Sequence, residues 1–123
     1  MRYARGVRLA LDDFGAGYLS LSYRTQLPVK KFKIDHAFVR NLSSRRECLG
    51  VIKAIAVIAR GRGIDVTVEG VETTQQAELL RRRCDTAQGF LCSPARPSRE
   101  VGALIERIPH AVTEARRAAR RMA

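Results

Sequence analysis

The stretch Leu9–Pro28, LALDDFGAGYLSLSYRTQLP, decides the fold expected for this chain. Three alternating apolar residues lead into two adjacent acids, Asp12 and Asp13, and two glycines, Gly15 and Gly17, follow. This pattern predicts a buried strand that ends in a polar turn, where glycine lets the backbone bend close to a ligand. The paired acids indicate a cation site or, alternatively, a turn in which the carboxylates cap backbone N–H groups.

Outward from this stretch, apolar spacing and turn residues predict a repeated strand–helix order. The predicted strands are 7–12, 31–34, 65–68 and 86–90, and the predicted helices are 20–25, 46–62, 73–83 and 98–108. The connections are long enough for parallel crossovers, so the chain is expected to adopt an α/β fold with a parallel sheet. Residues 41–44 are expected to form a solvated loop.

Two of these helices are expected to bury one apolar face each. The face of helix 46–62 comprises Cys48, Val51, Ile52, Ile55, Ile58 and Ala59. The face of helix 98–108 comprises Val101, Leu104, Ile105 and Ile108. Before helix 73–83, Thr73 and Gln76 have the spacing of a capping box, which satisfies the free N–H groups at a helix start.

Composition limits the function classes. The chain has 123 residues, of which 46% are apolar, which suits one modest domain, and its net charge of +11 favours anionic partners. No segment is apolar enough for a membrane span or a secretory signal, so a cytoplasmic protein without a membrane partner is expected. The three cysteines lack metal-binding spacing and are expected to be reduced and buried rather than catalytic.

Charged and polar residues recur at or near the ends of the predicted strands. Asp12 and Asp13 close the first strand, Lys33 lies on the second, Glu69 closes the third, and Gln88 lies on or beside the fourth. Parallel strands place these ends on one rim, which is the reactive edge of α/β barrels. Carboxylates, a lysine and an amide suit a hard divalent cation and a phosphate ester.

Three ordered motifs give this pattern a family resemblance. The segments DDFGAGYLSLSYRTQLPVKKFKID, VTVEGVET and AQGF follow one another in the order and spacing of the second half of an EAL domain. The resemblance covers roughly residues 4–108. It implies cyclic di-GMP phosphodiesterases with a modified TIM-barrel fold, which use Mg²⁺ or Mn²⁺ to open cyclic di-GMP to linear pGpG. Residues 1–109 are then expected to form about the last four parallel strand–helix units of a partial TIM-like (β/α) barrel, and residues 110–123 a basic C-terminal helix or tail.

The resemblance also implies roles for individual residues. Asp12 resembles a metal ligand, and Asp13 resembles the acid at the second metal and the nucleophilic water. Lys33 resembles the lysine that orients water or phosphate, and Glu69 resembles the catalytic or metal-associated acid of the EGVE motif. Gln88 resembles the glutamine that positions catalytic water.

Other positions resemble those that hold the acidic loop or depart from the family pattern. Glu72 resembles the acid that keeps the Asp-Asp-Phe-Gly loop in place, and Gly15 and Gly17 resemble the glycines of that loop. Ala16 stands where the family usually has threonine, and Val68 stands where it usually has alanine.

The 123 residues contain no Glu-Ala-Leu motif, whose glutamate binds metal in the family. The chain is therefore expected to resemble a truncated phosphodiesterase that is inactive alone and binds Mg²⁺ or Mn²⁺ weakly or not at all. The alternative is a degenerate, non-catalytic EAL module that binds nucleotide or protein. A homodimer or a completing chain would close the half barrel. The arginine clusters 81–83 and 116–121 predict non-specific electrostatics and no specific nucleic-acid partner.

Overall fold

A computed structural model describes residues 6–15 and 28–108 of the chain. Four strands form one sheet in the order β1-β2-β3-β4, and every neighbouring pair is parallel. The strands are β1 (Leu9–Phe14), β2 (Val29–Ile34), β3 (Asp65–Val68) and β4 (Thr86–Ala87). The expected α/β fold with a parallel sheet is confirmed. The predicted helix 20–25 and the basic segment 110–123 lie outside the described residues.

Three helices follow the strands, and residues 98–108 form a further helical stretch, here called α4. The bounds of the three are α1 (His36–Arg40), α2 (Arg46–Gly61) and α3 (Thr74–Leu80). The predicted capping box is confirmed, because the Thr73 hydroxyl accepts the Gln76 N–H and the Gln76 amide oxygen accepts the Thr73 N–H. The prediction missed α1, a five-residue helix too short to show periodicity, which begins where Asp35 caps the Ala37 N–H at 2.7 Å.

The strand ends differ from the predicted ones where packing decides them. β1 extends to Phe14 because the Phe14 ring packs on Phe32, with ring centroids 4.4 Å apart. β2 begins at Val29, which is buried, two residues earlier than predicted. β4 has two residues instead of five, and the loop 41–44 is not fully solvated because Leu42 is buried in the core.

The core lies between the central strands and α2. Its largest buried side chains come from β2, β3, α1, α2 and the loop after β3: Phe32, Ile34, Ile52, Val39, Val66, Val68 and Val71. On α2 the predicted face is only partly correct. Ile52, Ile55 and Ala59 are buried as expected, but Val51 is exposed and Ala56 is buried instead. The face that packs is centred near Ile52 and Ala59, so Val51 falls at its margin.

The predicted burial of the α4 face is wrong within the part of the chain that the structure describes. Val101 is 39% exposed and Ile105 is 61% exposed, and Leu104 and Ile108 are only partly covered. The periodicity was that of an amphipathic helix, but periodicity alone does not supply a surface to pack against. Among residues 6–15 and 28–108, no helix is long and apolar enough to cross a bilayer.

The three cysteines are free, and they differ in exposure. Cys48 and Cys84 are half-buried, whereas Cys92 is exposed, so the expected burial is wrong for Cys92. Burial raises the pKa of the Cys84 thiol to about 11 from its ordinary value of 9.0. Cys84 is therefore protonated at neutral pH, and its thiol reacts more slowly there than an exposed thiol of ordinary pKa.

A substitution at Gly89 tests how closely the loop after β4 packs against Val71. A Cβ atom at Gly89 would lie 2.2 Å from the Val71 carbonyl oxygen and 2.4 Å from its nitrogen, and backbone atoms cannot move aside cheaply. We expect Gly89→Ala to lower the free energy of unfolding by about 1–3 kcal/mol in urea titrations. Gly50→Ala is the control, because a Cβ atom there meets nothing within 4 Å and alanine favours the helix by about 0.5–1 kcal/mol. Equal effects of the two changes would contradict this packing.

Cys84 gives a prediction on pH. Because the pKa of Cys84 is raised in the folded state, its contribution to stability is full below pH 9.0 and is lost as the pH rises through about 11. At pH 8 we expect iodoacetamide to modify Cys92 at least about tenfold faster than Cys84, as read by mass spectrometry of the two peptides. Equal rates on the folded chain would contradict the prediction.

Candidate functional site

Three carboxylates meet where β1 and β3 end. Asp12, Asp13 and Glu69 each offer one oxygen, and these oxygens all lie within 4.8 Å of one another. Asp12 and Asp13 belong to β1, and Glu69 directly follows β3, so the parallel sheet brings together acids that are distant in sequence. Such a spacing lets a single ion contact all three groups after small side-chain shifts.

Lys33 lies on β2, between the strands that carry these acids. Its Nζ is 3.2 Å from Asp12 Oδ1 and 2.5 Å from Glu69 Oε1. The hydrogen bond to Glu69 is the main reason why the pKa of Lys33 is raised above its ordinary value. Burial acts to lower this pKa, and the contact with Asp12 acts to raise it. The ammonium is thus charged at neutral pH, and it leaves the cluster with two unbalanced negative charges.

The backbone at Asp13 explains how two adjacent acids reach one site. Successive side chains of a regular strand point to opposite faces of the sheet. Here the pairing of β1 with β2 is irregular between Leu11 and Phe14, and Asp13 has a φ of 50°. Aspartate tolerates this left-handed conformation better than most residues. The irregularity turns both carboxylates toward Glu69, and the Asp13 N–H donates to Asp12 Oδ1 at 3.1 Å.

Glu69 is held more firmly than the two aspartates. Its N–H donates to the Ile34 carbonyl at 3.1 Å, which continues the pairing of β3 with β2. The Glu69 side chain is 19% exposed, whereas that of Asp12 is 64% exposed. Glu69 therefore provides the fixed side of the cluster and Asp12 the solvent side.

Glycine allows the loops around the cluster to press against α1. At Gly15, with a φ of 97°, a Cβ atom would lie 2.8 Å from the Phe38 ring. At Gly70, with a φ of 75°, a Cβ atom would lie 2.5 Å from His36 Cβ. The predicted loop residue Gly17 lies outside the described residues.

Gln88 and Glu72 line a pocket of about 270 Å³, which Gly70, the residue after Glu69, lines as well. The backbone fixes both residues. The Gln88 N–H donates to the Val68 carbonyl at 2.8 Å, and the Glu72 N–H donates to Gln76 Oε1 at 2.8 Å. Both side chains are exposed in this pocket, so the geometry gathers the predicted site residues in two groups rather than one.

No sequence motif pointed to a role for three other residues that line this pocket. His36 and Arg40 line it from α1, and Phe90 lines it from the loop after β4. His36 Nδ1 lies 3.4 Å from Asp35 Oδ2. A signal was present, since Asp35 and His36 directly follow β2, at the same edge of the sheet as the acids.

The residues present fit a divalent cation. Carboxylate oxygens are the ligands that Mg²⁺, Mn²⁺ and Ca²⁺ accept, and the two unbalanced negative charges match the charge of one such ion. Lys33 already occupies part of the acceptor capacity of Asp12 and Glu69. A cation at this site would share those two carboxylates with the lysine.

Comparison of the chain with known proteins shows which family it resembles. The EAL domain model matches residues 2–95. Uncharacterized protein y4lL of Sinorhizobium fredii is 41% identical over 102 residues, which are 82% of this chain and 12% of that protein. MucR of Pseudomonas aeruginosa, a bifunctional diguanylate cyclase/cyclic di-GMP phosphodiesterase, is 37% identical over 80% of this chain and 14% of its own length. The chain thus spans a small part of such relatives.

Solved structures of EAL proteins resemble this fold. The EAL domain of Mycobacterium smegmatis DcpA matches with a TM-score of 0.76 and 41% identity, over 83% of this chain and 46% of that one. The manganese/cyclic di-GMP complex of Klebsiella pneumoniae BlrP1 matches with a TM-score of 0.62 and 35% identity, over 69% of this chain and 22% of that one. The expected fold, part of a TIM-like barrel of the EAL type, is confirmed.

Lys33 tests the electrostatics of the cluster. We expect Lys33→Met to lower the free energy of unfolding by about 1–3 kcal/mol in EDTA, because the acids lose the cation that screens them. MnCl₂ should reduce this loss by restoring positive charge. Lys30→Met, at an exposed position of the same strand, is the control and should change stability by about 0.5 kcal/mol or less. A loss at Lys33 that MnCl₂ leaves unchanged would contradict the cation site.

Proposed function

The chain belongs to the EAL domain family, and from this premise we propose that its carboxylate cluster is part of a metal-dependent site that opens cyclic di-GMP to linear pGpG. Relatives of the chain include the cyclic di-GMP phosphodiesterases MucR and NbdA. The observation that carries the proposal is the convergence of Asp12, Asp13 and Glu69 around Lys33. The proposed place of action is the cytoplasm.

In this proposal Asp12, Asp13 and Glu69 hold Mg²⁺ or Mn²⁺. The ion would supply Lewis-acid polarisation of the phosphodiester and a more acidic water. The oxygen spacing and the charge of the cluster support this assignment, since a hard divalent cation prefers carboxylates and balances two negative charges. The manganese and calcium complexes of BlrP1 with cyclic di-GMP are in keeping with it.

In a completed site, the chain's own residues would perform the remaining tasks of hydrolysis. Water adds to phosphorus, the bond from phosphorus to the 3′ oxygen breaks, and a proton passes to that leaving oxygen. The Lys33 ammonium faces the cluster and stabilises the charge that grows on the phosphoryl oxygens. Glu69, which is held by the sheet, accepts a hydrogen bond from the attacking water. Asp13 shares this water in the proposed arrangement.

Gln88 and Glu72 have supporting roles in the proposal. Gln88 orients water from the neighbouring pocket, and Glu72 holds the loop that begins at Asp12. Gly15 allows that loop to lie against Phe38, where any side chain would collide with the ring. The carboxylate cluster and the pocket of Gln88 and Glu72 would then act on one substrate.

We further propose that the 123-residue chain alone does not turn over substrate. It contains no Glu-Ala-Leu motif, and three carboxylates cover only part of the six positions around Mg²⁺. In the described sheet β1 and β4 are the edge strands. Further strands, from elsewhere in the protein, from a second copy or from another chain, would pair at these edges and bring additional ligands.

A second candidate is a binding module without catalysis. The observation that favours it is the same partial ligand set, because binding cyclic di-GMP needs fewer fixed groups than cleaving it. The phosphates would then contact Lys33, directly or through a weakly held cation. The two candidates differ in whether linear product forms once further strands complete the site at the edges of the sheet, since only the first expects catalysis there.

The test uses the 123-residue chain with cyclic di-GMP and MnCl₂. We expect a rise in thermal stability with MnCl₂, and no linear pGpG by chromatography. Glu69→Gln should abolish the thermal shift, because the fixed ligand is lost, whereas Glu78→Gln on α3 should leave it unchanged. Product that disappears in Glu69→Gln would overturn the inactivity of the chain. A thermal shift that survives Glu69→Gln would overturn the metal site.

A further inference from the structure

A second pocket lies at the opposite end of β3 from Glu69. It has a volume of about 340 Å³, and it is formed by the end of α2, the start of β3 and the segment after α3. Asp65 begins β3, and Glu69 follows the strand, so about 13 Å of extended chain separates the two ends. This pocket is therefore distinct from the carboxylate cluster.

Arginine dominates the lining of this pocket. Four arginines and two aspartates contribute to it: Arg60, Arg81, Arg82, Arg83, Asp65 and Asp85. The arginines exceed the aspartates by two charges. One aspartate is already engaged, because Asp85 Oδ2 accepts the Val66 N–H at 2.7 Å. The pocket is therefore a concave, positively charged surface.

A purely structural explanation is that these arginines interact with the negatively polarised carbonyl ends of α2 and α3. Backbone groups already satisfy much of that need. The N–H groups of Arg62 and Ile64 donate to the Ala59 carbonyl, and those of Arg83 and Cys84 donate to the Leu80 carbonyl. Helix capping therefore does not require four arginine side chains here.

The arginines differ in how far they are engaged. Arg83 donates to the Leu79 carbonyl, and Arg81 lies 3.5 Å from Glu78, a long contact on the surface. Within the described residues, neither Arg60 nor Arg82 forms an ion pair. Two guanidinium groups are thus available at the pocket, and guanidinium binds phosphate through two parallel hydrogen bonds.

We propose that this pocket binds a small molecule that carries a diphosphate or longer phosphate chain. The volume lies at the lower end of the range for small-molecule sites, which suits a compact anion. The two available guanidinium groups suit two phosphate groups rather than one. Nucleic acid is the competing polyanion, and a concave pocket of this size favours the small ligand over a duplex backbone.

The experiment measures binding of inorganic pyrophosphate to the 123-residue chain by calorimetry. EDTA is present, so that metal at the carboxylate cluster cannot recruit the anion, and failure of the proposed hydrolysis would leave this result unaffected. The double variant R60Q/R82Q should bind pyrophosphate at least about tenfold more weakly. The control R45Q/R46Q removes the same charge at the start of α2, outside the pocket, and should stay within about twofold.

A second readout uses the wild-type chain and does not depend on the folding of a variant. Cys84 lines the pocket and Cys92 does not. Pyrophosphate should slow the modification of Cys84 by iodoacetamide and leave that of Cys92 unchanged. Cys84 modification that pyrophosphate leaves unchanged would overturn the proposal.

Three further outcomes would overturn it. Equal weakening in R60Q/R82Q and R45Q/R46Q would show general electrostatic attraction. Inorganic phosphate that binds as tightly as pyrophosphate would remove the requirement for a phosphate chain. Binding of a DNA duplex that depends on Arg60 and Arg82 and that pyrophosphate does not displace would assign the surface to nucleic acid.

Discussion

One ammonium group ties three strands together at the reactive edge of the sheet. Lys33 on β2 contacts Asp12 on β1 and Glu69 after β3, so the ends of these strands meet at one charge. Without this cation, three carboxylates within 4.8 Å would repel one another. The parallel register of β2 with β3 and the irregular pairing of β1 with β2 both serve to bring these groups together.

The sequence predicted best those elements whose pattern is long or strongly apolar. The bounds of β3 were correct, because its apolar residues lie between Gly63 and Gly70, and those of α2 were correct to one residue, because sixteen residues carry a clear helical period. The five residues of α1 carry none. The end of β1 depends on contact between Phe14 and Phe32, which are distant in sequence and therefore invisible to a local pattern.

In the candidate site, too, some features could be predicted from the sequence and others could not. Strand ends predicted that Asp12, Asp13, Lys33 and Glu69 would converge, because parallel strands share an edge. The left-handed backbone of Asp13 could not be predicted, since it follows from the irregular pairing with β2. Placement of Gln88 depends on how loops cross that edge, and loops follow no period.

The two ends of β3 carry opposite charge, and the proposed ligands are correspondingly a cation at one end and an anion at the other. Glu69 belongs to the acidic cluster at one end, and Arg60 and Arg82 face the pocket at the other. About 13 Å of extended chain separates the two ends of β3, which exceeds the screening length of about 8 Å for exposed charges at physiological ionic strength. The strand between them is buried at Val66, Thr67 and Val68, so water does not connect the two sites through the sheet. In the two proposals, a cation at one end and an anion at the other would therefore interact weakly through solvent, and the packing of β3 would be the direct connection between the sites.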